Sequence, residues 1–204
     1  MTKYNGSDGL TTLQPSDDVV TAAWGSGWRM PTTAEFQALG AAVNTAWTDD
    51  YQGSGVSGLV LTDKTDESKT LFFPACGYCS NGSMGNVGSN GLYWSSSLGG
   101  PNNVMGAYIL SFFNDAAYWD FGNSRFYGYS VRGVADPYNT NGHTFVDLGL
   151  PSGTKWATMN VGAESETDYG NYYMYGKGAT QYNSSDTAYA GIEDPLDLSV
   201  DTAR

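Results

Sequence analysis

The sequence predicts an α+β fold of short antiparallel strands, one main helix and long loops. Three observations carry this expectation. The 204 residues include 27 Gly and 15 Tyr, a composition of many turns between short aromatic strands. Apolar runs of strand length recur between clusters of Gly, Asn, Ser and Pro. A single stretch combines helical spacing with a start signal. At 40% hydrophobic residues the chain is able to bury a core, as one domain or two small ones.

Residues 1–22 are polar and turn-rich, and end in DDVVTAAW, which suits one or two helical turns from about Asp17. In GSGWRMPTTAEFQALGAAVNTAW, Pro31 precedes Thr32 and Glu35, the pair that forms a capping box. Phe36, Leu39, Ala42, Val43 and Ala46 then share one helical face, which predicts a helix over 33–46, weakened at Gly40. SGLVLTDK and KTLFFPA read as a hairpin across a polar turn. Residues 76–92 read as a Gly/Asn/Ser loop without a period. LYWSSS, AYILSFF, AAYWDFG and FYGYSVRGV follow as strands separated by turn residues.

ADPYNTNGH has the composition of a linker. After it, TFVDLGLPSGTKWATMNVG predicts two strands around a Pro-Ser-Gly turn, and DYGNYYMYGKG a third, aromatic strand. The chain ends in a polar tail at DTAR.

The charge balance narrows the partners. A net charge of −12 with only 9 Lys plus Arg, in no run, argues against nucleic acid, which needs a basic surface. No stretch approaches the roughly 18–20 apolar residues of a membrane helix, so membrane insertion is not expected. MTKYNGSDGL lacks the pattern of a signal peptide.

Catalytic groups are sparse. Cys76 and Cys79 form one CxxC in a Gly/Ser/Asn loop; with His143 as the only histidine, the ligands for a zinc site are too few. The cysteines therefore read as structural, either small buried side chains or a local disulfide. His143 has no nucleophile beside it in sequence. Asp49 and Asp50 are adjacent and suit a solvated turn better than the two walls of a glycosidase cleft. The chain is not expected to be an enzyme, and no metal site is expected.

The two ends resemble each other. KYNGSD at 3–8 matches QYNSSD at 181–186, and further on Asp18–Thr21 can be laid beside Asp201–Arg204. If the repeat is real, the chain is cut out of register. The late segment would then supply strands that the early segment lacks, within one molecule or by exchange in a domain-swapped dimer.

Five segments carry a family resemblance: DLGLPSGTKWATMNVGA (147–163), WGSGWRMPTTAEF (24–36), FFPACGY (72–78), GLYWSSS (91–97) and FYGYSVRGV (126–134). They resemble the motifs of the Fibrobacter succinogenes major paralogous domain of Bacteroidetes surface proteins, though in permuted order. The resemblance implies a C-type-lectin-like fold. It would make 1–134 the C-terminal two-thirds of such a domain, 135–142 a linker, and 143–204 the N-terminal part of a repeat. It also implies kinship with the formylglycine-generating enzyme, whose cysteine chemistry CGYC does not match. The variable proteins of diversity-generating retroelements are further relatives; their last segment carries diversified, solvent-facing residues.

The matching region here is Gly91–Val134. Strand alternation sends Leu110, Phe112, Tyr127 and Val131 to the core, and Ile109, Ser111 and Phe113 to the other face. Tyr108, Ser111, Phe113, Tyr118, Trp119, Phe121, Asn123, Arg125, Phe126 and Tyr129 are the candidate ligand face; rigid aromatics give contact area at low entropic cost. The alternative is that these rings are ordinary core and hairpin pairs. Trp28 and Trp156 read as core aromatics, and Arg29 and Arg132 as loop anchors through carboxylates or carbonyls.

No cofactor is expected. Calcium is the one ion the resemblance raises, but Gln14–Asp17 and Tyr118–Asp120 only faintly resemble lectin calcium motifs. The expected function is non-enzymatic binding of a protein or glycan, in a receptor or adhesion role. Its place would be extracellular, at a cell surface or on a phage particle. The alternative is a structural repeat of a larger surface protein with no ligand of its own.

Overall fold

The computed structural model describes residues 3–5, 7–99, 103, 105–135 and 141–178. Within them lie helices α1 (Val19–Trp24) and α2 (Thr33–Ala42), and a 3₁₀ turn at Tyr51–Gly53. The first strands are β1 (Trp28–Arg29), β2 (Val43–Thr48), β3 (Gly58–Asp63), β4 (Thr70–Pro74), β5 (Tyr78–Ser80) and β6 (Ser83–Gly85). The central ones are β7 (Asn90–Leu98), β8 (Gly106–Phe113), β9 (Ala116–Ser124), β10 (Gly128–Tyr129) and β11 (Arg132–Ala135). The last are β12 (Phe145–Val146), β13 (Lys155–Asn160) and β14 (Tyr173–Met174). Strand dominates, helix is scarce, and every paired strand is antiparallel to its neighbour among the described residues.

Local chemistry explains both helix starts. The Asp18 carboxylate caps α1 by accepting from the amides of Val20 and Thr21, and its second oxygen accepts from Met30 N. At α2 the expected capping box forms in full between Thr32 and Glu35. Arg29 closes it from outside, with Nη1 2.7 Å from Glu35 Oε2 and Nη2 2.5 Å from Oε1. Burial raises the Glu35 pKa, and the bonds from Arg29 and Thr32 more than reverse this, so the net shift is downward from 4.5. A lowered carboxylate pKa adds stability above the ordinary value and loses it as the pH falls through the folded one. Glu35→Gln is therefore expected to cost about 1 kcal/mol at neutral pH. The gap to wild type should close below pH 4.5, as read from urea midpoints across a pH series.

Helix α2 stops at Ala42, four residues short of the expected end. Val43–Thr48 instead pairs residue for residue with β3, from Val43↔Asp63 to Thr48↔Gly58. Helical spacing at Val43 and Ala46 was outweighed by this ladder, which also extends the expected β3–β4 hairpin to a third strand. The loop expected at 76–92 contains a second hairpin, β5–β6, whose Asn81 and Gly82 both adopt positive φ. Cys76 and Cys79 are buried free thiols, which settles the open choice against a disulfide. Burial pushes the Cys76 thiol pKa up.

The sheets are β1-β11-β13-β12, β14-β10-β5-β6, β2-β3-β4 and β7-β8-β9. Segment 143–178 supplies the partners of the early strands: β13 pairs with β11 and β14 with β10. The 136–140 part of the linker, and the terminal motifs QYNSSD and DTAR, lie outside the described residues. Ala135, expected in the linker, is the last residue of β11, held between Trp28 and Lys155.

Strands β7 and β8 are buried on both faces by two clusters. Leu92, Trp94, Ala107 and Ile109 join one with Trp28, Tyr129 and Tyr173. Tyr93, Leu110 and Phe112 join the other with Phe36, Phe73 and Trp156. Trp28 and Trp156 are thus core residues, as expected. Arg132 is fully buried between the layers. Its Nε donates to Asn160 Oδ1 at 2.8 Å; its Nη atoms reach the carbonyls of Ala157, Thr158 and Phe72 at 2.9, 2.7 and 3.0 Å. The guanidinium lies 4.5 Å from the Phe73 ring centroid.

Candidate functional site

The candidate face is built on the β8–β9 hairpin, with β9 at the edge of its sheet. The pairing of the two strands contains one irregularity. Ile109 opposes Phe121 and Ser111 opposes Tyr118, so Leu110 stands against both Trp119 and Asp120. This is a β-bulge, with two residues of one strand opposing one of the other.

Both bulge residues meet α2. The Trp119 indole lies so close over Gly40 that a Cβ there would be 2.5 Å from Trp119 Cε2. Asp120 Oδ2 accepts from Gln37 Nε2 at 3.0 Å. Gly40, read in the sequence as a weak point of the helix, is the seat for a ring from β9.

The bulge also resets the alternation of the strand. In a regular strand Tyr118 and Phe121, three apart, would face opposite ways. Here their ring centroids lie 6.1 Å apart, and Tyr118 is 5.9 Å from Phe113. Tyr118 and Phe121 are 46% and 47% exposed. Phe113, Tyr118 and Phe121 thus form an aromatic row on the outer part of the sheet.

The other candidates divide. Tyr108 and Asn123 are half-buried, and the Asn123 side chain accepts from Ser124 N at 2.8 Å. Phe126 is exposed beside Tyr127, with centroids 4.1 Å apart. Trp119 is half-buried on α2 and holds β9 in place.

Ser111, Arg125 and Tyr129 were expected at the surface and are buried. Ser111 sits in the middle strand between Leu92 and Tyr118. The Arg125 guanidinium lies 6.0 Å from the ring centroid of Tyr175. Tyr129 packs 4.5 Å from Trp94 and pairs with Tyr173 of β14. Burial raises the Tyr129 hydroxyl pKa far above its ordinary value. In each of the last two cases the cover comes from residues 173–175, a segment remote in sequence that alternation within 108–129 does not report. Ile109, also expected outside, is buried because Trp94 and Ala107 share its cluster.

The groups considered for catalysis make local contacts. His143 stacks on Trp24 at 4.3 Å. Asp49 accepts from Trp47 Nε1 at 2.7 Å and Asp50 from Gly55 N at 2.6 Å, so both organise a turn. Among the described residues no three His, Cys, Asp or Glu side chains gather as a metal would need. No helix among them is long and apolar enough to cross a membrane. A cavity of about 300 Å³ beside Thr12, Asp18 and Trp28 offers little to a ligand, because the Asp18 carboxylate is taken up by three backbone amides.

Comparison with known proteins finds no matching family model, no matching curated protein and no matching solved structure.

Proposed function

We propose that this chain is a non-enzymatic binding domain of C-type-lectin-like kind. It acts outside the cell, at a cell surface or on a phage particle, in adhesion or as a receptor. The row Phe113–Tyr118–Phe121 is the part that meets the partner, and that partner is a protein surface. The observation that carries this reading is the division of labour along β9. Trp119 and Asp120 fasten the strand to α2, while Tyr118 and Phe121, nearly half exposed, lie beside each other at the surface. Exposed aromatics on a rigid strand give contact area with little entropy to lose on binding. The motif resemblance supports the same reading, because the variable segment of the similar proteins matches this region.

An array of purified bacterial surface proteins, probed with wild type, Tyr118→Ala and Phe121→Ala, tests it. Each substitution is expected to weaken the captured complex by roughly tenfold or more, with the thermal midpoint within a degree or so of wild type. Equal signals from all forms would remove the row from the site. No captured protein at all would favour a structural repeat.

A further inference from the structure

The row ends at a cleft with a different chemistry. Where β2, the start of β7 and the β8–β9 turn come together, a cleft of about 560 Å³ opens beside Trp47, Asp49, Ser89, Asn90, Phe113 and Asn114. Its size lies within the roughly 300–1,000 Å³ of small-ligand sites. We propose that this cleft binds the end of a neutral glycan, with Trp47 as the stacking platform and Asp49, Asn90 and Asn114 as the hydroxyl-reading groups.

Four observations support the assignment. Trp47 is half-buried, one side packed near the Phe112 ring at 6.4 Å and its Nε1 tied to Asp49 Oδ1 at 2.7 Å. The indole is therefore held rigid, and its electron-rich face suits the C–H groups of a sugar ring. The same bond orients the Asp49 carboxylate, whose Oδ2 accepts from no protein group among the described residues. The amide nitrogens of Asn90 and Asn114 likewise donate to no protein group there; Asn90 Oδ1 accepts from Ser89 Oγ at 3.2 Å. A fixed acceptor beside amide groups that both donate and accept is what neighbouring sugar hydroxyls need.

Charge selects among glycans. Asp49 lines the cleft, and Lys and Arg do not, in a chain of net charge −12, so sulfated or uronic sugars are repelled. The cleft shares Phe113 with the aromatic row but does not depend on the row for its chemistry.

Isothermal titration calorimetry on the full chain decides the matter. The probes are cellotetraose, maltotetraose, mannotetraose and xylotetraose, with tetragalacturonate as the anionic control. At least one neutral probe should bind, and Asn114→Ala and Trp47→Ala should each weaken it by roughly tenfold or more. Phe121→Ala should leave it unchanged, which separates this site from the protein-binding row. Asn114 is exposed in a turn, so its variant keeps the fold even if Trp47→Ala loses stability; thermal midpoints identify that case. The proposal is overturned if no neutral probe binds at about 10 mM, an affinity too weak for recognition. It is equally overturned if Asn114→Ala binds like wild type, or if tetragalacturonate binds as well as the best neutral probe.

Discussion

A chain cut after Gly142 is expected not to fold. The removed segment contributes Leu148, Leu150, Trp156, Ala157, Val161, Tyr173 and Tyr175, all buried. At about 1.5–3 kcal/mol for each large apolar side chain, the six large ones together contribute about 9–18 kcal/mol, as much as the roughly 5–15 kcal/mol that holds a typical domain together. Polar groups would be stranded as well. Trp94 Nε1 donates to the Tyr173 carbonyl at 2.9 Å, and Arg132 finds most of its acceptors on β13. The truncated chain should show no cooperative transition in denaturant by circular dichroism. A sharp transition near the wild-type midpoint would mean that the early segment is sufficient alone.

Replacing Arg132 by Met is the point substitution expected to cost most, about 3–5 kcal/mol. The methionine keeps much of the apolar stem but donates nothing. The Asn160 side chain and the carbonyls of Ala157, Thr158 and Phe72 would each lose a donor around the buried Arg132. The damage joins β4, β11 and β13, so the denaturation midpoint should fall sharply while the solvent-facing aromatic row stays chemically intact. A loss below about 1 kcal/mol would show that these carbonyls find other donors.

What the sequence made legible was local. The capping box at Thr32 and Glu35, the short helix at Asp18 and the β3–β4 hairpin rest on neighbouring residues, and the chain carries those signals openly. The end of α2 was hidden because Val43–Thr48 gains its ladder from a strand beyond a loop. The β5–β6 hairpin had a visible signal in Asn81-Gly82, a pair that readily takes the positive φ of a two-residue turn. Its strands are too short to show a period. In the candidate site, Tyr118 and Phe121 were legible as exposed aromatics, with the half-buried Phe113 beside them. Arg125 and Tyr129 were not, because what covers them arrives from the far end of the chain. The cleft was missed because Trp47, just past the expected helix, was given no role and Asp49 was read as an idle turn residue.

The bulge at Trp119 and Asp120 bears on how this protein could change over time. Trp119 seated over Gly40 and Asp120 bonded to Gln37 fix the course of β9, so the strand owes little of its position to Tyr118 and Phe121 on either side of them. Tyr118 and Phe121 can then be exchanged for residues of another size or polarity with little disturbance beneath them. A lineage could revise what this surface recognises many times without having to reinvent the scaffold that displays it.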